Sequence, residues 1–421
     1  MDKIIPVDSL TVGMEVVALD KSWLETNILF HRFKIRSDEE IRKLKENGIR
    51  MVTINAADES EEKQAPSRKR DDKNDPPETA SSKASEIAPE FQTLDMNSPH
   101  AIREGNALQE KTVAVVAKCF ENIRQKLSFD VLPLKAQVAQ TLEMTLRNPR
   151  NNSFLLTLSE ADDESYVHSA NTMVLSISLA AQSGIPREEL AQWGLAALLH
   201  DIGKALIPLN VLKKPGKLTP SEWDIIKKHP QLGHSILLKS KDEVIRGLCS
   251  TVCIEHHERR NGTGYPYGID IKELNPVSRS LMVLDIYEAL TAGRIYANPL
   301  SPAKTLAYLL ETEIHRLDPK AIAELVRMIG VYPVGSLVEL VDGKVALVSE
   351  YKNPETHSGQ VNLLVIFSSR SQPVAEPYFI TLPLIDRNSV IQTFHPRELG
   401  LSPSDVLRYI EISGPGFPEG S

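Results

Sequence analysis

The sequence predicts a mainly α protein: a helical bundle flanked by a small N-terminal α+β domain and a small C-terminal β-rich extension. Three observations carry this expectation. From about residue 105 to 328, apolar residues recur at i, i+3 and i+4, the period of helices that bury one face. Ahead of that block lies a short alternating segment followed by a long polar stretch. Behind it, from about Val331, the apolar period falls to two, as it does in half-buried strands.

In order, residues 1–57 read as the α+β domain. The stretch "GMEVVALD" alternates like a strand, and Ser37 with Glu40 forms a capping-box pattern opening the helix "DEEIRKLKEN". Gly48 would end that helix, and "IRMVTI" would return as a strand. Over residues 58–104 Glu, Lys, Ser, Pro and Asp prevail, with Phe91 as the one aromatic. Such a segment cannot bury enough apolar surface to offset its ordering, which predicts a flexible linker. The helical domain, 105–328, has stops at Gly184-Ile185-Pro186 and Pro215-Gly216. A fresh start follows at Thr219-Pro220-Ser221-Glu222, with Thr as cap, Pro at the first helical position and Glu at the third. In the extension, 329–421, "GSLVELVDGKVALVSEY" alternates around Asp342-Gly343, a hairpin signal.

Composition narrows the function classes. A chain of 421 residues exceeds what one core organises, so two or three domains are expected. Its formal charge of -8 and pI near 5.8 argue against general affinity for nucleic acid or anionic membranes, which need a basic surface. A small anionic ligand could still meet a local basic pocket. No apolar run approaches the ~20 residues of a membrane span, and "MDKIIPVDSL" lacks a signal peptide's basic start and apolar centre, so the expected compartment is the cytoplasm. Three cysteines, with Cys249 and Cys253 one helical turn apart, form neither a disulfide framework nor a CxxC zinc site.

The chemistry concentrates in the helical block. His168, His200-Asp201, His229, His256-His257 and Asp285 follow one another at intervals of 32, 28, 27 and 28 residues. In antiparallel helices about that many residues run out along one helix and return to the same level of the bundle, so five helices could aim ligands at one point. His256 shares a stripe with Ile245, Cys249 and Val252, and Asp285 follows Val277 and Leu281 at i+4 steps; a polar group on an apolar face needs a partner, and a metal ion supplies one. Any one of these histidines alone reads as a core or surface residue. Together, adjacent His-Asp and His-His pairs can feed two cations, the aspartate bridging them. Nitrogen and carboxylate oxygen without thiolate suit Fe, Mn or Zn and do not select among them. Two cations roughly 3.5–4 Å apart would bind a phosphoryl oxygen and activate a bridging hydroxide, the geometry of phosphoester hydrolysis.

"HDIGK" at 200–204, "HP" at 229–230 with Gly233, "HHERRNGTGYPYG" at 256–268 and "DIYEALT" at 285–291 together resemble the HD-GYP family of cyclic di-GMP phosphodiesterases over about residues 160–300. The first 55 residues and the β-rich extension also resemble regions fused to such enzymes in bacteria. The resemblance implies an HD-type bundle that opens cyclic di-GMP to pGpG or GMP. It implies metal ligands at His168, His200, Asp201 as the bridge, His229, His256, His257 and Asp285, with Glu164 matching a third-metal ligand of some members. The expected cofactors are two or three divalent ions, iron or manganese before others. Asp201 and Lys204 carry the implied catalysis, Lys204 by neutralising the scissile phosphate or aiding the leaving oxygen. Gly264, Tyr265, Pro266 and Arg294 join Lys204 as the implied substrate contacts, and diguanylate cyclase-type domains are implied partners of the Gly-Tyr-Pro loop. The chain departs from the family pattern at Ala297, where a second cation is usual, and at Asn261, where aspartate is usual. Ala297 and the flanking domains motivate a rival expectation, a catalytically weak cyclic di-GMP sensor or scaffold that docks diguanylate cyclase-type partners.

Overall fold

The computed structural model describes residues 2–19, 33–35, 41–42, 44–45, 49–55, 99–127, 130–147, 164–292, 299–330, 332–351, 360–383, 389–402, 405–406 and 408–409. It divides into two compact units, Met1–Phe91 and Gln92–Ser421.

In the first unit, β1 (Asp2–Pro6), β2 (Glu15–Leu19), β3 (Phe33–Lys34) and β4 (Met51–Asn55) form an antiparallel sheet ordered β1-β4-β2-β3. Both expected strands are present. Their inward residues, Ile5, Val16, Val52 and Ile54, close a core with Ile41, Leu44 and Ile49. Ile41-Arg42 and Leu44-Lys45 are helical; the Ser37–Glu40 capping pattern and Gly48 lie outside the described residues, as does 58–98 of the expected linker.

The second unit begins with α1 (Pro99–Arg124), which starts ahead of residue 105. There follow α2 (Val131–Arg147), α3 (Glu164–Gln182), α4 (Arg187–Leu199), α5 (Leu209–Leu212), α6 (Pro220–Ile226), α7 (His229–Leu237), α8 (Ser250–Glu255), α9 (Pro276–Ala292), α10 (Pro302–Tyr308) and α11 (Pro319–Ile329). Two apolar clusters share α3 and α9: Met173, Ile177, Val277 and Leu281 face one, Leu175, Leu179, Met282 and Leu284 the other. Both helices therefore bury apolar residues on two faces, as central helices do, and they carry polar Asn171, Asp285 and Glu288 into the interior. The Thr219–Glu222 capping box opens α6 as expected. A π turn, Ile245–Cys249, precedes α8 and another, Leu309–Glu313, follows α10.

Among the described residues, the expected near-continuous helix has a large interruption after α8. Residues 256–275 leave helix altogether, because Gly262, Gly264, Pro266 and Gly268 break it and because side chains of the flanking residues hold the excursion. Between α4 and α7 the chain makes a 3-10 turn, Ile202–Leu206. A Cβ on Gly203 would sit 1.9 Å from the carbonyl oxygen of His229, so only glycine lets this turn lie against the start of α7.

The extension is a five-stranded antiparallel sheet ordered β8-β7-β6-β5-β9, comprising β5 (Leu337–Leu340), β6 (Val345–Tyr351), β7 (Gln360–Ser369), β8 (Gln372–Pro383) and β9 (Val390–Phe394). The expected hairpin pairs Leu337 with Leu347. Ser301, the N-cap of α10, meets Thr393 of β9 at 2.6 Å in a buried hydroxyl pair that joins sheet to helices. No helix among the described residues is long and apolar enough to cross a membrane.

Candidate metal centre

Five helices deliver the metal-capable side chains to one place. His168 lies in the second turn of α3, His200 and Asp201 follow the end of α4, His229 opens α7, His256 and His257 follow α8, and Asp285 sits mid-way along α9. Their ligand-capable atoms fall into two groups, Asp201 with His229, His256 and His257, and His168 with His200 and Asp285, each within 4.8 Å throughout. Asp201 stands between them. Its Oδ1 lies 3.1 Å from His229 Nε2 and 3.7 Å from His256 Nε2, while its Oδ2 lies 3.3 Å from His200 Nε2 and 3.7 Å from His168 Nε2. Asp285 spans the same gap, with Oδ1 3.1 Å from His168 Nε2 and Oδ2 4.0 Å from His257 Nδ1.

The orientation of the rings tests whether a cation fits. His200, His229 and His256 each hold Nδ1 against a carbonyl three residues earlier, Ala197 at 2.6 Å, Ile226 at 2.8 Å and Cys253 at 2.8 Å. A carbonyl only accepts, so Nδ1 carries the proton and Nε2 of the neutral ring presents a lone pair. Burial above all drives the pKa of His256 down to about 4, so that ring is neutral at pH 7. Yet His229 Nε2 and His256 Nε2 are 3.2 Å apart, and the buried Asp201 Oδ1 has no hydrogen bond. Lone pairs and a carboxylate oxygen facing one another repel unless a proton or a metal cation lies among them. The donor set fits divalent metal.

The remaining titrations agree. Burial opposes ionisation of Asp201, but Lys204, paired with its Oδ2, holds it well below the usual carboxylate range. Asp285 is held low in the same way by His168. Burial above all holds the pKa of His257 well below the usual imidazole value. His168 is the exception: burial disfavours its cation, but Glu288 and Asp285 outweigh that and push its pKa up to about 10. Without metal, a proton on His168 takes the place of part of the missing positive charge.

The loop after His257 is tied to the centre by a residue to which the sequence reading assigned no role. Glu258, fully buried, accepts from Tyr267 N at 2.7 Å and Ile269 N at 3.1 Å. Tyr265 N donates to His257 O at 3.1 Å, and the Tyr265 ring lies 4.7 Å from that of His257, tilted 31°. Gly262 does adopt positive φ, +71°, but Gly264 does not. What Gly264 supplies is room: a Cβ there would lie 2.3 Å from Glu258 Cα. Asn261 serves where aspartate is usual, its Oδ1 accepting from Thr263 N and Thr263 Oγ1 at 3.2 and 2.7 Å. Pro266 follows Tyr265 in the same lip. Glu288 was also missed; it accepts from His168 Nδ1 and lies one turn beyond Asp285 on α9, a spacing that could have drawn attention to it. The side chain of Glu164 and all of Arg294 and Ala297 lie outside the described residues.

Residues 2–134 match the family described as a domain of unknown function (DUF3391), and residues 152–321 match the HD domain. The chain is 31% identical over 405 residues to a cyclic di-GMP phosphodiesterase of Pseudomonas aeruginosa, covering 94% of this chain and 93% of that one. It is 36% identical over 149 residues to the cyclic di-GMP phosphodiesterase response regulator RpfG of Xanthomonas campestris, 35% of this chain and 39% of that one. With 3'3'-cGAMP-specific phosphodiesterase 3 of Vibrio cholerae it shares 30% identity over 240 residues, 55% of this chain and 51% of that one.

Proposed function

This chain belongs to the HD-GYP family of cyclic di-GMP phosphodiesterases, and on that premise we propose that it is a metal-dependent hydrolase opening cyclic di-GMP to pGpG, GMP or both, with His168, His200, Asp201, His229, His256, His257 and Asp285 as its metal ligands. The observation that carries the proposal is Asp201, whose two carboxylate oxygens face the two histidine groups separately. Divalent ions held there would polarise a phosphoryl oxygen and lower the pKa of water at neutral pH. Two ions, iron or manganese, suit the two nitrogen-and-oxygen groups, and Glu164 is the proposed ligand of a third.

The chain's own groups do the rest. Lys204 is paired with Asp201 while its side chain stays 19% exposed, so its remaining N–H groups can take a phosphate oxygen, a charge-assisted contact. Arg294 is the proposed second phosphate contact. Tyr265, backed by His257, offers an aromatic face on which a guanine can stack, and Gly264 and Pro266 shape the lip around it. A donor set with no gap, and relatives named as phosphodiesterases, support turnover over sensing alone. The Gly-Tyr-Pro loop, flanked by the 63% exposed Tyr267, is the proposed docking site of a diguanylate cyclase-type domain. Free, buried Cys119, Cys249 and Cys253 suit the reducing cytoplasm.

The test is product chromatography of full-length protein loaded with Mn(II) or Fe(II), given cyclic di-GMP or 3'3'-cGAMP. Linear pGpG or GMP from cyclic di-GMP, absent with Asp201→Ala, is expected. No product from cyclic di-GMP with either metal overturns the proposal, and faster cleavage of 3'3'-cGAMP reassigns the substrate.

A further inference from the structure

His200, His229 and His256 are aimed by main-chain carbonyls of their own neighbourhoods, whereas His168 is aimed by a side chain. Its Nδ1 donates to one oxygen of Glu288, which is 3% exposed on α9. The other oxygen, Oε1, accepts from Asn171 Nδ2 at 2.6 Å. Asn171, fully buried, lies three residues beyond His168 on α3, and its own Oδ1 accepts from Gln109 Nε2 of α1 at 2.5 Å. Three helices therefore supply a series in which every donor points toward Glu288. The order is self-consistent: with its oxygen taken by the Gln109 amide, Asn171 must turn its NH₂ group to the carboxylate, and a flip would break both bonds. Glu288, held from both sides, fixes Nδ1–H on His168 and directs Nε2 at Asp201 and Asp285, and a carboxylate so placed strengthens the imidazole as a ligand.

Helix α1 supplies none of the proposed ligands. It nonetheless touches the centre twice, through Gln109 and through Arg124, whose Nε donates to Ala205 O at 3.3 Å in the turn that carries Lys204. We infer that Asn171 and Gln109 are positioning residues of the metal centre, joined through Glu288 to His168 in a relay whose outer end lies on α1. The inference rests on the metal-binding reading given above.

Binding of Mn(II) to full-length, metal-free protein, followed by calorimetry, tests it with a readout separate from hydrolysis. Asn171→Leu is near-isosteric and uncharged but removes the donor to Glu288; a packing role would tolerate it, whereas the relay predicts about 10- to 100-fold weaker Mn(II) binding. Gln109→Met, at a half-buried position where folding is at little risk, removes only the outermost donor and should weaken binding about two- to tenfold. If the unaltered chain binds Mn(II) and both variants bind it equally well, the relay is overturned while the metal centre stands. If the unaltered chain binds no Mn(II), the metal-binding reading fails and the relay fails with it.

Discussion

His168 and Gly264 show how much at this centre depends on single atoms. Because Glu288 and Asp285 push the pKa of His168 up to about 10, the metal-free protein at pH 8 holds a proton there that a metal taking up the proposed site would displace. Mn(II) binding at pH 8 should release about one proton from this ring, seen as a dependence of binding heat on buffer ionisation enthalpy and lost in His168→Gln; affinity should rise with pH until that pKa is passed. At Gly264, an alanine Cβ 2.3 Å from Glu258 Cα must displace the loop and draw Tyr265 away from His257. Gly264→Ala should therefore lower kcat/KM for cyclic di-GMP by at least about tenfold, while Mn(II) affinity stays within about twofold. The ligand-type residues were legible in the sequence because histidine and aspartate at regular intervals on apolar faces have few other uses. Glu288, Asn171 and Glu258 were not legible as working parts, since a glutamate or asparagine in a helix or loop reads as solvated until the fold buries it.

At the scale of elements, local chemistry carried far. The Thr219 capping box, the hairpin around Asp342-Gly343 and the stop after α3 were all written in short-range patterns, because caps and turns are satisfied within a few residues. The π turns before His256 and after α10, and the full length of the 256–275 excursion, depend on what packs beside them. One capping motif escaped notice for the same reason: His395, 5% exposed, caps the 3-10 turn Pro396–Leu399 by accepting from Arg397 N at 3.3 Å, and Glu398 closes the box. An imidazole can accept there only when neutral. Burial first, then Arg397 and Lys304, lowers its pKa to about 4. The unfolded chain takes up this proton below pH ~6.5 and the folded one only near 4, so the contribution is complete above pH 6.5 and shrinks as pH falls toward 4. The loss should reach about 3 kcal/mol, measured by chemical denaturation across that range, and His395→Asn, which keeps a capping acceptor, should flatten it.

For the whole molecule, the proposed ligands belong to five helices that are far apart in sequence, so metal bound by them would be linked to the integrity of the bundle. Mn(II) at about 100 times its Kd should stabilise the protein by about 2.7 kcal/mol, with a chelator reversing the gain and the double variant Asp201→Ala, Asp285→Ala showing none; denaturant midpoints with and without metal check this. The five-stranded sheet is fastened to the same unit through the Ser301–Thr393 hydroxyl pair and a 3.4 Å contact between Lys304 and Glu398, neither of which a pattern of apolar periods can reveal. The sequence by itself determined where the helical block and the two strand-bearing regions lie, which residue types can ligate metal and which family the chain resembles, because these follow from side-chain chemistry and short-range periodicity. Only the tertiary structure decided that Asp201 faces both histidine groups, that Glu288 and Asn171 hold His168 and that Glu258 anchors the loop, because burial, ring orientation and the direction of a hydrogen bond are set by neighbours brought together when the chain folds.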